Sequence, residues 1–321
     1  MSVWLLTDAA MDVHVLPGHV ERPDRRLAVA DGMRDGASEA GAELVEPAVE
    51  EIGDEEVRAI HDSNYLTLLA AAEGSNGAWL DPDTYVVRGS LRAARLASGA
   101  TVQAARAAAS GEAEVAFAVV RPPGHHAAAA RGSGFCLLNN VAVAAAALRR
   151  DGVAGRIAIL DWDVHHGDGT QAIFDADPDA CYASTHQSPL YPGTGSVDER
   201  GSGAGLGTMH NHPLAPGAGD SEFVAAWQKE LLPAIEAFAP DALLISAGYD
   251  AHRDDPLSHL AVSDDAFGAV SRLVGEMSTR LGLPGVALNL EGGYDLAALR
   301  ASAATTVRGL LDGRGHLPNR A

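Results

Sequence analysis

A short apolar run that ends in a cluster of charges constrains this chain most. Residues 157–160 (IAIL) are apolar without alternation, and residues 161–169 (DWDVHHGDG) then bring three aspartates and two histidines. A continuous apolar run of this length is typical of a strand buried on both faces of a parallel sheet. Because unpaired buried charge is very costly, a metal ion or a closed carboxylate–histidine network is needed at the end of this strand.

Similar apolar runs alternate with alanine-rich stretches along the chain. The predicted strands are Val3–Leu6, Val115–Val120, Arg156–Leu160, Ala180–Ser184, Ala242–Ser246 and Gly285–Leu290. The predicted helices, placed by capping residues and by glycines that follow them, are Arg92–Ala109, Asn140–Arg150 and Asp264–Leu281. This alternation predicts an α/β fold in which residues 1–321 form a single open doubly wound domain with a mostly parallel central sheet.

Charge and cysteine content narrow the classes of function. The 321 residues include 43 acidic and 23 basic side chains, and the net charge of −20 argues against binding to nucleic acid or to anionic membranes. No apolar stretch approaches the roughly 20 residues of a transmembrane helix, and the N-terminus lacks the basic start of a signal peptide. With only Cys136 and Cys181 available, we expect no CxxC zinc site and a cytoplasmic location. Homo-oligomerisation stays open.

Polar side chains follow five of the predicted strands. In parallel α/β sheets, ligands bind beyond the carboxyl ends of the strands, which all lie at one edge. The groups at these ends are His125 and His126, the segment 161–168, the segment 184–186, Asp250 and Tyr294. We therefore expect the functional site at this edge of the sheet.

Three of these residues form a candidate metal site. Asp163 and His165 are two positions apart, so in an extended segment both side chains leave on the same side. Asp250, from another strand end, is the natural third ligand. Three protein ligands and an open position are typical of catalytic zinc, while two carboxylates make Fe(II) or Co(II) alternative occupants.

The remaining polar residues suit acid–base chemistry. His125 and His126 follow a rigid Pro-Pro-Gly turn, and histidine is the usual proton carrier near neutral pH. Asp161 and Asp168 can each accept a hydrogen bond from one imidazole, which would raise its pKa. Tyr294 follows two glycines that allow close approach, and its phenol can donate to a developing oxyanion. Structural roles, as strand-end caps and a core tyrosine, are the alternatives.

Six motifs together match a known family. The chain resembles the zinc-dependent histone deacetylase superfamily, which includes bacterial deacetylase-like proteins and acetylpolyamine amidohydrolases and has the arginase/deacetylase-like α/β fold. The matching segments are RPPGHH (121–126), GFCLLNN (134–140), ILDWDVHHGDGTQ (159–171), YPGTG (191–195), SAGYDAHRDDPL (246–257) and EGGY (291–294). With GHVERPDRR at 18–26, the resemblance covers nearly the whole chain.

The resemblance implies a role for each matched residue. Asp163, His165 and Asp250 match the zinc ligands, His126 matches the general base and acid, and Tyr294 matches the catalytic tyrosine. His125 completes the histidine pair, and Asp161 and Asp168 match the carboxylates behind it. Further implied positions are Phe135 (after Gly134) and Tyr191 as walls of an acyl-lysine tunnel, Asp83 as an acidic rim residue, Arg25 beneath the site, and a structural potassium site at Asp161, Ser184 and Thr185.

Three positions depart from the expected pattern. Asp168 stands where the class II branch usually carries asparagine, and Tyr191 replaces the more usual phenylalanine. Leu257 stands where a polyamine-preferring branch carries a glutamate, which disfavours a polyamine substrate.

Position 167 is glycine, so the DxHxD pattern of a binuclear manganese ureohydrolase is incomplete.

The expected function is hydrolysis of an acetyl or other short acyl amide on an acylated lysine side chain. Acetylpolyamines or other small amides are the alternative substrates. A non-catalytic deacetylase-like binding protein is the remaining alternative, although such a protein is expected to lack a zinc ligand or the tyrosine, and this chain has both.

Overall fold

An eight-stranded sheet organises the computed structural model, which describes residues 1–75 and 77–315. The strands are β1 (Ser2–Leu6), β2 (Glu43–Val45), β3 (Ala78–Trp79), β4 (Tyr85–Val86), β5 (Val115–Ala118), β6 (Ile157–Asp161), β7 (Ala180–Gln187), β8 (Met209–Leu214), β9 (Ala242–Ala247) and β10 (Val286–Leu290). The order across the sheet is β2-β1-β5-β10-β9-β6-β7-β8, and every neighbouring pair is parallel. Strands β3 and β4 form a separate antiparallel pair.

Helices cover both faces of this sheet. They are α1 (Pro23–Glu39), α2 (Asp54–Arg58), α3 (Ser63–Gly74), α4 (Ser90–Ser110), α5 (Asn140–Arg150), α6 (Asp168–Phe174), α7 (Asp220–Ala226), α8 (Leu232–Phe238), α9 (Asp264–Arg280) and α10 (Leu296–Gly313). A π-helical turn joins α7 to α8. Within residues 1–75 and 77–315, no helix combines the length and apolar character needed to span a bilayer.

Strand β6 shows why these strands have no alternating pattern. Ala158 and Leu160 pack into the core that includes α1, α9 and α10, whereas Ile157 and Ile159 pack into the opposite core with α4 and α5. All four side chains are buried. The predicted α/β fold with a mostly parallel, doubly covered sheet is therefore confirmed.

Local sequence chemistry sets several helix ends. The Asn139 side chain accepts from the Ala142 amide at the start of α5, and Ser263 accepts from the Ala266 amide at the start of α9. Helix α4 stops at Gly111, whose φ of 80° lies in the left-handed region that favours glycine. The predicted caps are confirmed at both helices.

Several elements differ from the sequence prediction at the margins of the sheet. The edge strands β2 and β8 were not predicted, because β2 has three residues and β8 (MHNHPL) is largely polar. Strand β5 ends two residues earlier than expected, and β7 continues to Gln187. Of the ten helices in residues 1–75 and 77–315, only α4, α5 and α9 were predicted. Helix α1 was missed because polar and glycine residues conceal its buried face, where Gly32 and Gly36 closely approach the backbone of α10.

The strand order explains how distant segments meet. Strands β5, β10, β9, β6 and β7 are consecutive neighbours in the centre of the sheet. Their carboxyl ends therefore lie side by side at one edge. The five polar segments that follow them in the sequence are brought to one place, as the strand-end pattern predicted.

Candidate active site

A cavity of about 290 Å³ opens at this edge of the sheet. The cavity is lined by ten of the residues singled out in the sequence, together with Val20, Pro123, Leu190 and Gly292. The ten are Asp83, His125, His126, Gly134, Phe135, Asp163, His165, Tyr191, Leu257 and Tyr294. Asp161, Asp168 and Asp250 are buried behind these residues and hydrogen-bond to them.

Asp163, His165 and Asp250 bring their ligand atoms within 4.8 Å of one another. His165 Nδ1 lies 3.2 Å from Asp163 Oδ1 and 3.2 Å from Asp250 Oδ2. Burial lowers the pKa of His165, but hydrogen bonds to the two carboxylates outweigh this effect and raise the pKa to about 10. Two buried carboxylates around one imidazole form a site that favours a cation.

Backbone donors and glycines hold this triad in place. Asp163 accepts from the His165 and Gly292 amides at 2.9 and 2.7 Å, and Asp250 accepts from the Val164 amide at 2.9 Å. A Cβ atom at Gly292 would overlap the carboxylates of both aspartates. The donor set and its tight support fit a divalent metal with three protein ligands.

The two adjacent histidines differ in charge. His125 Nδ1 lies 3.0 Å from Asp161 Oδ2, and His126 Nδ1 lies 2.8 Å from Asp168 Oδ1. Burial lowers the pKa of His125, but Asp161 and Asp163 outweigh it and raise the pKa well above its usual value. Burial and the nearby charge of His125 lower the pKa of His126 to about 3. The pair therefore presents a charged imidazole beside a neutral one.

Asp161 also binds a residue that the sequence did not single out. Its Oδ2 accepts from the hydroxyl of Tyr182 at 3.0 Å, and that hydroxyl accepts from the Gly167 amide. Ser184 is the neighbour of Asp161 across β6 and β7, but its hydroxyl lies 2.9 Å from His186 Nδ1. The Thr185 hydroxyl accepts from the indole of Trp227. Potassium at this position stays a prediction.

Asp168, one of the departures from the expected pattern, has a second partner. Its Oδ1 binds His126, while its Oδ2 accepts from the Arg131 guanidinium at 2.5 Å. Burial raises the pKa of Asp168. Its hydrogen bond to His126 and the nearby charges of Arg131 and His125 outweigh burial and keep the pKa below its usual value. The carboxylate therefore stays ionised behind His126.

Tyr294 is held by contacts to its ring and backbone. The Arg25 guanidinium lies 4.7 Å from the ring centroid, and the Phe135 ring meets it edge-on at 6.0 Å. The Tyr294 amide donates to Asp255 Oδ2 at 2.6 Å, while Oδ1 of the same carboxylate accepts from the Leu257 amide. Asp255 thus ties the tyrosine to a residue of the cavity wall.

The aromatic walls are fixed by an unusual turn. Gly134 and Phe135 both have positive φ, 54° and 70°, and a Cβ at Gly134 would overlap the His126 ring. The Phe135 amide donates to the Thr84 hydroxyl at 3.0 Å. On the other side, the Tyr191 ring meets the His126 ring edge-on at 5.1 Å.

The cavity rim carries the remaining predicted residues. Asp83 lies at the exposed rim, and the partial burial of its carboxyl together with the neighbouring Asp81 raises the pKa of that carboxyl to about 6. Its backbone carbonyl lies 3.2 Å from His19 Nε2, and the His19 ring meets the Phe135 ring edge-on. Leu257 contributes an apolar side chain to the same cavity.

Sequence reasoning missed four residues that support the site: Tyr182, Asp255, Arg131 and Glu291. Arg131, Asp255 and Glu291 lie inside or beside the matched motifs, but the family resemblance assigns roles only to neighbouring residues of those motifs. Glu291 opens the EGGY segment and is fully buried. Only the fold shows which side chains each of these residues reaches.

Several known proteins are similar to this chain in sequence and in fold. The histone deacetylase domain matches residues 19–310. A probable deacetylase of Methanothermobacter thermautotrophicus is 39% identical over 319 residues, which cover 99% of this chain and 93% of that protein.

Two solved structures have the same architecture. The crystal structure of the HDA15 HD domain is 36% identical with a TM-score of 0.88, covering 96% of this chain and 90% of that one. An acetylpolyamine aminohydrolase from Burkholderia pseudomallei is 32% identical with a TM-score of 0.85, covering 96% of this chain and 98% of that one.

Proposed function

Because the chain belongs to the histone deacetylase family, we propose that it is a metal-dependent amidohydrolase that deacylates lysine side chains. Acetyl or other short acyl groups are the ones it would remove. One observation supports this most strongly: Asp163 and His165, with Asp250 directly behind them, line the same cavity as a neutral histidine, His126, and Tyr294. These are the components that hydrolysis of an unactivated amide requires.

Asp163, His165 and Asp250 would hold the metal, with zinc as the expected ion. A bound Zn²⁺ supplies Lewis-acid chemistry, which polarises the acyl carbonyl and lowers the pKa of water. The two carboxylates among the three ligands also suit Fe(II) or Co(II).

His126 would act as the general base. With Asp168 as acceptor, Nδ1 of His126 carries the proton, and Nε2 is the free acceptor. The lowered pKa keeps this imidazole neutral before reaction, so it can take a proton from the attacking water. A protonated imidazole of the pair then donates to the leaving amine, and Asp161 stabilises the charge on His125.

Tyr294 would stabilise the tetrahedral oxyanion. Its hydroxyl is a hydrogen-bond donor, and burial raises its pKa well above the usual value, so it stays protonated. Phe135 and Tyr191 would enclose the aliphatic part of an acylated lysine, while Asp83 at the rim would bind the substrate backbone. Gly134 lets this wall approach His126, since it leaves no Cβ between them.

Acetylated polyamines are the second candidate substrates. The net charge of −20 and the similarity to a protein named acetylpolyamine aminohydrolase support them. Against them, Leu257 places an apolar group in the cavity where a carboxylate would bind a cationic amine. We therefore favour acyl-lysine. We further propose that residues 1–321 act as one cytoplasmic catalytic domain, with K⁺ as a structural ion.

Acetate release from a substrate panel tests this proposal. The panel contains acetyl-lysine peptides, acetylspermidine and acetylputrescine, each incubated with the zinc-loaded protein and with a His126→Ala variant. We expect release from acetyl-lysine peptides by the wild type and at least a hundredfold slower release by the variant. Release from no substrate, or equal release by both proteins, would overturn the proposal.

A further inference from the structure

The buried carboxylate of Glu291 accepts four hydrogen bonds. Its Oε2 accepts from the backbone amides of Gly124 and His125 at 2.6 and 3.1 Å. Its Oε1 accepts from the Ser246 hydroxyl at 3.0 Å and from the Asn289 side-chain amide at 2.7 Å. These four contacts favour the ionised carboxylate, whereas burial and the nearby Asp161 and Asp163 raise its pKa to about 7.

The same four donors exclude a second metal at this place. Ligand atoms of His125, Cys136 and Glu291 do lie within 4.8 Å of one another. A metal there would need carboxylate oxygens that already carry two hydrogen bonds each. Breaking these bonds would leave buried donors unsatisfied, which is costly.

The turn that carries the histidine pair depends on this carboxylate. Among the described residues, the amides of Gly124 and His125 have no other acceptor. The turn is also tightly packed, because a Cβ at Gly124 would lie 2.6 Å from the Asn140 amide nitrogen. Glu291 therefore anchors the turn to β9 and β10 through Ser246 and Asn289.

The residue after Glu291 extends this coupling to the metal triad. The Gly292 amide donates to Asp163 Oδ2 at 2.7 Å, while the Glu291 carbonyl accepts from the Arg25 guanidinium at 2.5 Å. One short segment thus contacts the histidine turn, a metal-ligand candidate and the arginine beneath the tyrosine.

We propose that Glu291 is a positioning residue, whose carboxylate fixes the Gly124–His125 turn and so sets His126 relative to the Asp163 triad. This inference rests on the proposed function, because it assigns Glu291 a part in the same reaction. Glu291 touches neither substrate nor the reacting atoms. Its loss would misplace the general base without removing it.

Two substitutions separate the hydrogen bonds from the volume of the side chain. Glu291→Met is unbranched and of similar length but accepts no hydrogen bonds. Glu291→Gln keeps one good acceptor for the two backbone amides. Val270→Ala removes buried volume in α9, outside the residues that line the cavity, and serves as a control for lost stability.

Steady-state kinetics with an acetyl-lysine peptide give the first readout. We expect Glu291→Met to lower kcat about 100-fold with KM within about threefold, as a misplacement near 1 Å does. Glu291→Gln should fall between this variant and the wild type. Val270→Ala should keep wild-type kcat per folded molecule.

Amide hydrogen exchange of residues 121–126 gives a second readout that needs no turnover. Exchange at Gly124 and His125 should be faster in Glu291→Met and unchanged in Val270→Ala. Wild-type exchange or wild-type kcat in Glu291→Met would overturn the inference, as would a loss that merely tracks stability. If the wild type itself released no acetate, the proposed function would fail while the exchange experiment still tested the turn.

Discussion

Replacing Tyr294 by phenylalanine isolates one hydroxyl group. The Arg25 and Phe135 contacts are made by the aromatic ring, and Asp255 binds the backbone amide, so all three persist in the variant. Among the described residues, the hydroxyl itself has no hydrogen-bond partner. Its removal therefore leaves no buried group unsatisfied, and we expect the free energy of unfolding to change by less than about 0.5 kcal/mol.

The expected loss lies in kcat. A donor aimed at a tetrahedral oxyanion contributes about 2.7–4 kcal/mol, so Tyr294→Phe should lower kcat by about 10²–10³-fold. KM should stay within about threefold, because the hydroxyl binds the ground-state carbonyl more weakly than it binds the oxyanion. Both constants can be measured with a fluorogenic acetyl-lysine peptide on the zinc-loaded protein.

Tyr65→Phe is the matched control. The hydroxyl of Tyr65 donates to the Leu137 carbonyl at 2.7 Å and lies outside the residues that line the cavity. This control should lose about 1 kcal/mol of stability and keep its kcat. A Tyr294→Phe variant with kcat within threefold of wild type, or with only KM raised, would refute the oxyanion role.

Three further predictions concern specificity, metal binding and stability. Leu257→Glu should raise kcat/KM for acetylspermidine relative to an acetyl-lysine peptide by about tenfold, or about 1.4 kcal/mol; an unchanged ratio would contradict the gatekeeping role. Asp250→Asn should lower bound zinc from one equivalent to less than about 0.1 by elemental analysis, while retention of a full equivalent would exclude Asp250 as a ligand. The buried carboxylate of Glu21 accepts hydrogen bonds from Arg121 at 2.6 Å and from Arg25 at 3.0 Å. Burial raises the pKa of this carboxyl, but the two arginines outweigh burial and lower the pKa to about 2. Its stabilisation is therefore present above the unfolded pKa, about 4.5, and is lost as pH falls toward 2, so the stability gap to Glu21→Gln in urea unfolding should shrink over that range. A constant gap would contradict this assignment.

The centre of the fold was predictable because its strands are buried on both faces. Runs such as 157–160 have no polar position, and that pattern indicates a covered parallel sheet. The edge strand β8 is only partly buried, so histidines, asparagine and proline replace the apolar pattern. Helix α1 was hidden for another reason: its buried face contains Arg25, which binds two carbonyls of the segment 291–293.

The part of the site that could be predicted consists of residues whose side-chain chemistry itself indicates a function. Aspartate, histidine and tyrosine at strand ends could be assigned to one edge, and the structure brings them around one cavity; their catalytic and metal-binding roles remain predictions. Supporting residues such as Glu291 and Tyr182 could not be assigned, since Gly124 and Asp161, which they bind at the site, lie 167 and 21 positions away in sequence. A carboxylate in a motif indicates charge, but only the fold identifies the donors that surround it.

Metal-dependent acetate release tests the central claim most directly. The wild-type protein would be stripped by a chelator, dialysed, and supplied with measured amounts of Zn²⁺ before incubation with an acetyl-lysine peptide. We expect no acetate from the stripped protein and full recovery at one equivalent of zinc. Undiminished release from protein shown to be free of metal, or an inability to bind any divalent ion, would contradict the assignment of Asp163, His165 and Asp250.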